Sequence, residues 1–127
     1  MAKESQDNSS LFEQLGGMQA VEAAVDVFYA YVSNDERISY FFRWVDMEKQ
    51  SNKMKFFLAY ALGSPINYSG KSLKDSHARL VKMGLTDKHF DAVVENLVLT
   101  LRELGIAENL IAQVGKIAEG TREDILR

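Results

Sequence analysis

One proline, Pro65, stands in a chain of 127 residues, and this scarcity constrains the fold more than any other feature. Proline breaks helices by removing a backbone donor and crowding the preceding turn, so the long stretches on either side can wind without interruption. Apolar residues use that freedom. Between Met18 and about Asn34, Val21, Ala24, Val25, Phe28 and Val32 recur at three- and four-residue spacing, with Tyr29 on the flank of the stripe. Before it, Ser10 and Glu13 have the spacing of a capping box, which opens a short helix at LFEQL; Gly16 and Gly17 stop that helix. RISYFF makes one or two turns. Asp46 is a good N-cap for a helix from Met47 to Leu62, ended by Gly63, Ser64 and Pro65. A loop over 64–71 leads to a short helix from Leu73 to Met83, with Gly84 as its stop. Thr86 or Asp87 caps a long helix carrying Phe90, Val93, Val94, Leu97, Leu101 and Leu104 in register, and Leu110, Ile111, Val114, Ile117 and Ala118 mark a last one. No segment alternates with a period of two, and no repeat of about 20–50 residues appears. The expected class is all-α.

Composition narrows the function. Eighteen acidic and fifteen basic residues leave a net charge of −3, which gives nucleic acid and anionic membranes no reason to bind. The chain has no cysteine, so disulfides, thiolate catalysis and cysteine-held metals are excluded. No apolar run approaches the roughly 18 residues that span a bilayer. The first ten residues, MAKESQDNSS, are polar and lack the apolar stretch of a signal peptide. The expected organisation is a disordered lead-in over residues 1–9 and one domain over 10–127, in a cytoplasmic, monomeric protein.

Two polar side chains interrupt apolar stripes, and such local rule-breaking tends to mark function. In the helix from Met47, the inward stripe is Met47, Met54, Phe57, Leu58 and Ala61; Gln50 falls near its middle and Lys53 at its edge. A buried amide without a partner costs about 1–3 kcal/mol, so Gln50 either finds a backbone carbonyl or serves a site. Lys53 can reach water by laying its stem along the surface. His77 is the second interruption, sharing a face with Leu73, Leu80 and Val81. It is either a satisfied core residue or a ligand. One other histidine, His89, sits off its own helix's stripe and reads as a surface or rim residue, so two histidines and no cysteine argue against a closed zinc site with its usual four protein ligands. A single imidazole suffices where a macrocycle already holds the metal, as in haem. The carboxylates Asp87, Asp91 and Glu95 have the spacing of any solvated helix face, and no Gly-rich loop follows a strand.

The ordered segments SLFEQLGGMQAVEAAVDVFYAYV, FFRWVDMEKQ, FFLAYALG, SHARL and LTDKHFDAVVENLVLTLRELG resemble the truncated haemoglobins, most closely group I of cyanobacteria, green algae and ciliates. The resemblance runs from about Ser10 to Arg127. It implies a shortened globin, a two-over-two helical sandwich around haem b (iron protoporphyrin IX). By position it makes His77 the proximal iron ligand, and Tyr29 and Gln50 the distal pair facing a bound gas. Phe42 packs on the haem face; Phe28, Lys53, Met54, Phe57, Leu58, Leu73, Leu80, Phe90 and Val94 complete the cofactor-binding set. Lys53 is also a candidate distal iron ligand, since some algal relatives carry lysine there; ligation needs the neutral amine, which burial favours. The chain departs from the family where Met54 replaces a frequent glutamine, which thins the distal network, and where Ser64 replaces the second glycine of a pair. No histidine lies in the last helix, so the covalent histidine–haem link of some cyanobacterial relatives cannot form. The implied function is binding of O2, NO and CO. Its best specific form is a nitric oxide dioxygenase that turns O2 and NO into nitrate with electrons from a separate reductase, because no flavin or nicotinamide site is visible. An O2 or NO sensor, or a scavenger without turnover, is the alternative; a haem-free helical interaction module is a remote one.

Overall fold

The computed structural model describes residues 10–64 and 73–127; the expected lead-in at 1–9 and most of the expected loop after Ser64 lie outside them. Seven α-helices are described: α1 (Leu11–Leu15), α2 (Gly17–Ser33), α3 (Met47–Ala61), α4 (Leu73–Lys82), α5 (Asp87–Glu103), α6 (Glu108–Glu119) and α7 (Arg122–Leu126). A 3₁₀ turn, Ser39–Phe42, bridges α2 and α3. No strand occurs among the described residues.

Local chemistry starts these helices where the sequence suggests. Ser10 Oγ accepts from the Glu13 amide at 3.1 Å, and Glu13 Oε1 accepts from the Ser10 amide at 3.3 Å. Asp46 Oδ1 accepts from the amides of Glu48 and Lys49 at 3.1 and 3.2 Å. Each such cap replaces hydrogen bonds that the first helical turn cannot make for itself. Gly16 ends α1 with φ +119°, a left-handed conformation in which a side chain is strained; a Cβ there would also come within 3.2 Å of Ala20 Cβ.

Helix α2 is the spine. Val21, Ala24, Val25, Phe28, Tyr29 and Val32 are all buried along it, and removing each large apolar side chain from water contributes about 1.5–3 kcal/mol. It packs on α1, α3 and α5, and α5 packs on α6, which makes the two-over-two sandwich; α7 lies against α4 and α5. An apolar cavity of about 210 Å³ lies in the core, lined by Val21, Ala24, Leu58, Leu97, Leu101 and Val114 among others. The Phe12 amide, an orphan donor in the first turn of α1, bonds the Leu62 carbonyl at 2.8 Å and latches α1 to the end of α3.

Three features add to the expected pattern. The last helix divides at Gly120 and Thr121, where the Thr121 hydroxyl bonds back to the Ala118 carbonyl at 2.6 Å, and α7 starts afresh. His89 is half-buried, as a rim residue is. Its Nδ1 accepts from the Thr86 amide at 2.9 Å, the work that Glu or Gln does in a common capping box, and its ring stands edge-on to Phe41 at 5.0 Å. The single tryptophan, Trp44, is 85% exposed.

The turn after α2 is tied to α5 by a polar clamp. The Asp35 carboxylate accepts from Arg37 Nε and Nη2 at 3.0 and 2.7 Å and from Asn96 Nδ2 at 2.9 Å. The Arg37 hydrogen bond, with help from Asn96 and against the opposing effect of burial, holds the Asp35 carboxyl well below the usual carboxylate range. A depressed carboxylate stabilises the fold fully above about pH 4, the unfolded group's value, and that contribution is lost as pH falls through the folded value. Urea midpoints measured against pH should therefore show Asp35→Asn less stable than the parent at pH 6, with the gap closing as the solution is acidified below pH 4.

Candidate haem-binding site

Tyr29 faces the interior because α2 presents it between two aromatic neighbours. Its ring meets Phe28 at 5.1 Å and Phe42 at 5.7 Å, both edge-on, a geometry worth about 0.5–1.5 kcal/mol beyond area burial. The residue is 7% exposed. Gln50, set in the first turn of α3 by the Asp46 cap, donates from Nε2 to the Tyr29 hydroxyl at 3.1 Å. The backbone carbonyl that the simplest reading offers Gln50 is thus replaced by a phenol 21 residues away. Burial raises the Tyr29 pKa, and the Gln50 hydrogen bond partly offsets it. The group therefore stays a neutral phenol at physiological pH. Because the amide spends its donor on the phenol oxygen, the phenol's own proton is left to point at a third group.

The rest of the predicted set falls around this pair unevenly. Phe28 and Leu58 are buried, Phe42 and Met54 are half-buried and pack on the core, and Phe57 is half-buried. On α5, Phe90 is buried and Val94 half-buried. On α4, His77 and Leu80 are half-buried together with Val81, while Asp75, Ala78, Arg79 and Lys82 face water, so the imidazole does share the inward face. Leu73 opens α4, and its side chain lies outside the described residues. Lys53 is exposed on α3, the placement the snorkelling reading expects.

Helix α3 is held by α2, and α4 by α7. The helices carrying Gln50 and His77 thus have separate supports and do not form one of the close helix pairs of the domain. Among the described residues, no three His, Asp or Glu side chains converge to hold a bare metal ion. The described residues supply one half-buried imidazole on α4 and, between α2 and α3, a neutral phenol–amide pair beside aromatic rings. That donor set fits iron already bound in a porphyrin.

Fold and donor set together define a globin of shortened type. A family model for bacterial-like globins matches residues 10–126. The group 1 truncated hemoglobin GlbN of Synechocystis sp. is 49% identical over 111 residues, covering 87% of this chain and 90% of that protein. The group 1 truncated hemoglobin of Tetrahymena thermophila is 41% identical over 117 residues, covering 92% and 94%. Among solved structures, the 2/2 hemoglobin from Synechococcus sp. PCC 7002, in the cyanomet state with covalently attached heme, has a TM-score of 0.89 at 46% identity and covers 93% of this chain and 98% of its own. The Fe(III) form of the Tetrahymena pyriformis truncated hemoglobin has a TM-score of 0.87 at 42% identity, with the same coverage.

The chain belongs to the group 1 truncated haemoglobins. It is accordingly a haem globin, with haem b as cofactor and diatomic gases such as O2 as ligands.

Periodicity leaves Tyr29 on the flank of its stripe and Gln50 inside another; the family resemblance is what paired them, and the hydrogen bond joins them. A double-mutant cycle tests the pair. Tyr29→Phe and Gln50→Leu, singly and together, should give a coupling of about 0.5–1.5 kcal/mol in unfolding free energy, measured on the haem-free protein by thermal denaturation.

Proposed function

We propose that His77 binds haem iron on the proximal side, that Tyr29 and Gln50 stabilise a diatomic ligand on the distal side, and that the protein converts O2 and NO to nitrate with electrons from a separate reductase. Haem, when bound, supplies reversible coordination of O2, NO and CO together with one-electron chemistry. The observation that carries this reading is the 3.1 Å hydrogen bond from Gln50 to Tyr29 among buried aromatic rings.

That bond orients both donors. Gln50 fixes the phenol oxygen from one side, so Tyr29 can present its proton to a ligand that gathers negative charge. A hydrogen bond to a charged acceptor contributes about 1.5–3 kcal/mol, and every 1.4 kcal/mol of it slows release about tenfold. Slow release suits retention for reaction with a second gas better than delivery. Met54, half-buried on the same helix, adds no donor, so two residues carry the polar side of the pocket. Phe42, beside Tyr29, keeps water away and preserves the strength of those bonds.

Lys53 supplies a second, switchable function in this reading. Its side chain stands on the exposed side of α3, so the amine would reach the iron only by turning inward and giving up its proton. Absorption spectra of the ligand-free ferric protein against pH should show a low-spin form gaining at alkaline pH, and Lys53→Ala should lack it. A high-spin haem at every pH would leave Lys53 as a solvated ammonium.

For the site as a whole, haemin added to the purified protein should give a Soret band that His77→Ala loses or shifts. NO supplied to the oxygenated protein should be recovered as an equal amount of nitrate, and Tyr29→Phe should release O2 at least about tenfold faster. Failure to take up haemin, or an unchanged Soret band without His77, overturns the assignment. NO binding without nitrate favours a sensor or scavenger.

A further inference from the structure

We infer that Arg122 is a positioning residue for the proximal histidine, a conclusion that rests on His77 being the iron ligand. Helix α7 has five residues, too few to hold itself together in water. Its place is set by what it is tied to, and one guanidinium does most of the tying. Arg122 Nε donates to Glu119 Oε2 at 2.6 Å and Nη2 to Glu119 Oε1 at 3.0 Å, a bidentate pair. Nη2 also donates to Asp91 Oδ1 at 2.5 Å. Nη1 donates to Asp87 Oδ1 at 3.0 Å and to the Asp87 carbonyl at 3.4 Å. The flat face of the group lies 4.5 Å from the centroid of the Phe90 ring.

Asp87, Phe90 and Asp91 sit at the spacing of one helix face, in the first two turns of α5. Arg122 therefore clamps α7 to the start of α5 by charge and by stacking at once. Arg127 adds a bond from Nη2 to Asp87 Oδ2 at 3.3 Å. Isolated surface ion pairs contribute little, but here three carboxylates converge on one guanidinium whose side chain is only 19% exposed. Lysine cannot replace it, because a point charge with three donors cannot serve two carboxylates and a bidentate third while stacking on a ring.

The consequence falls on α4. That helix packs on α7, and His77 is half-buried on it with Leu80 and Val81. The order of support is α5, then Arg122, then α7, then α4, then His77. Arg122 touches neither gas nor iron in this scheme; it sets the angle and height at which the imidazole is held, as outer residues do for metal-ligating histidines.

The test uses the haem-loaded protein and three variants, Arg122→Gln, Arg122→Lys and Asp91→Asn, with His77→Ala as reference. Three quantities are measured: the iron–histidine stretching band of the ferrous form, the rate of haem transfer to an excess of an apoglobin trap, and the C–O stretching band of the carbon monoxide form, which reports Tyr29 and Gln50. Both Arg122 variants should move or broaden the iron–histidine band and lose haem roughly 10–100-fold faster, with Asp91→Asn changing both in the same direction by less. The C–O band should stay where it is. An unchanged iron–histidine band and haem-loss rate in variants of parental helicity overturns the inference, and so does a C–O band that moves alongside, which would mean general loosening. If Arg122→Gln fails to fold, the other two variants decide between the same outcomes. An iron–histidine band that survives in His77→Ala instead refutes the ligand assignment beneath it.

Discussion

The hydrogen bond from Gln50 to Tyr29 is the interaction on which the proposed ligand chemistry rests. It joins α2, the helix that organises the core, to α3, and it does so among aromatic rings. Tyr29 is buried and Gln50 partly so; the bond gives the phenol oxygen a donor, and no buried side-chain nitrogen or oxygen among the described residues lacks a partner. The direction of the bond matters as much as its existence. An amide that donates to a phenol leaves a phenol that can donate onward, so the pair is polarised towards a ligand with negative character.

The two sides of the site are built by different physics. Around Tyr29, position comes from burial: Val21, Val25, Phe28 and Val32 root α2 in the core, and the edge-on contacts of Phe28 and Phe42 leave Tyr29 little freedom to turn. Around His77, α4 is a short helix with exposed charges on much of its surface, and its support comes through α7 from a cluster of charges at the domain's edge. A core-built half resists perturbation by salt or pH. A charge-built half responds to both, so the helix that carries His77 stands on the more adjustable side.

What was legible in the sequence was what repeats or caps locally. The Ser10–Glu13 box, the Asp46 cap, the glycine stop at Gly16 and the stripe from Val21 to Val32 all rest on neighbours within a few residues, and all are realised. Partnerships across distance were not legible from periodicity. Asp35 and Asn96 are 61 residues apart, Arg122 and Asp87 are 35 apart, and nothing in either local pattern names the other. The capping role of His89 was hidden for another reason: capping boxes are read from Glu or Gln at the third helical position, and an imidazole nitrogen does the same work without the usual letter. The interruptions at Gln50 and His77 were visible as anomalies, but only the resemblance to truncated haemoglobins supplied what each was for.

Trp44 carries a practical consequence. The only indole in the chain stands almost wholly in solvent, so its emission is already that of a hydrated chromophore before the core opens. Intrinsic fluorescence excited at the tryptophan band will say little about the collapse of the α2 core. It remains a good donor for energy transfer to a porphyrin, which makes the same residue a reporter of cofactor arrival rather than of folding.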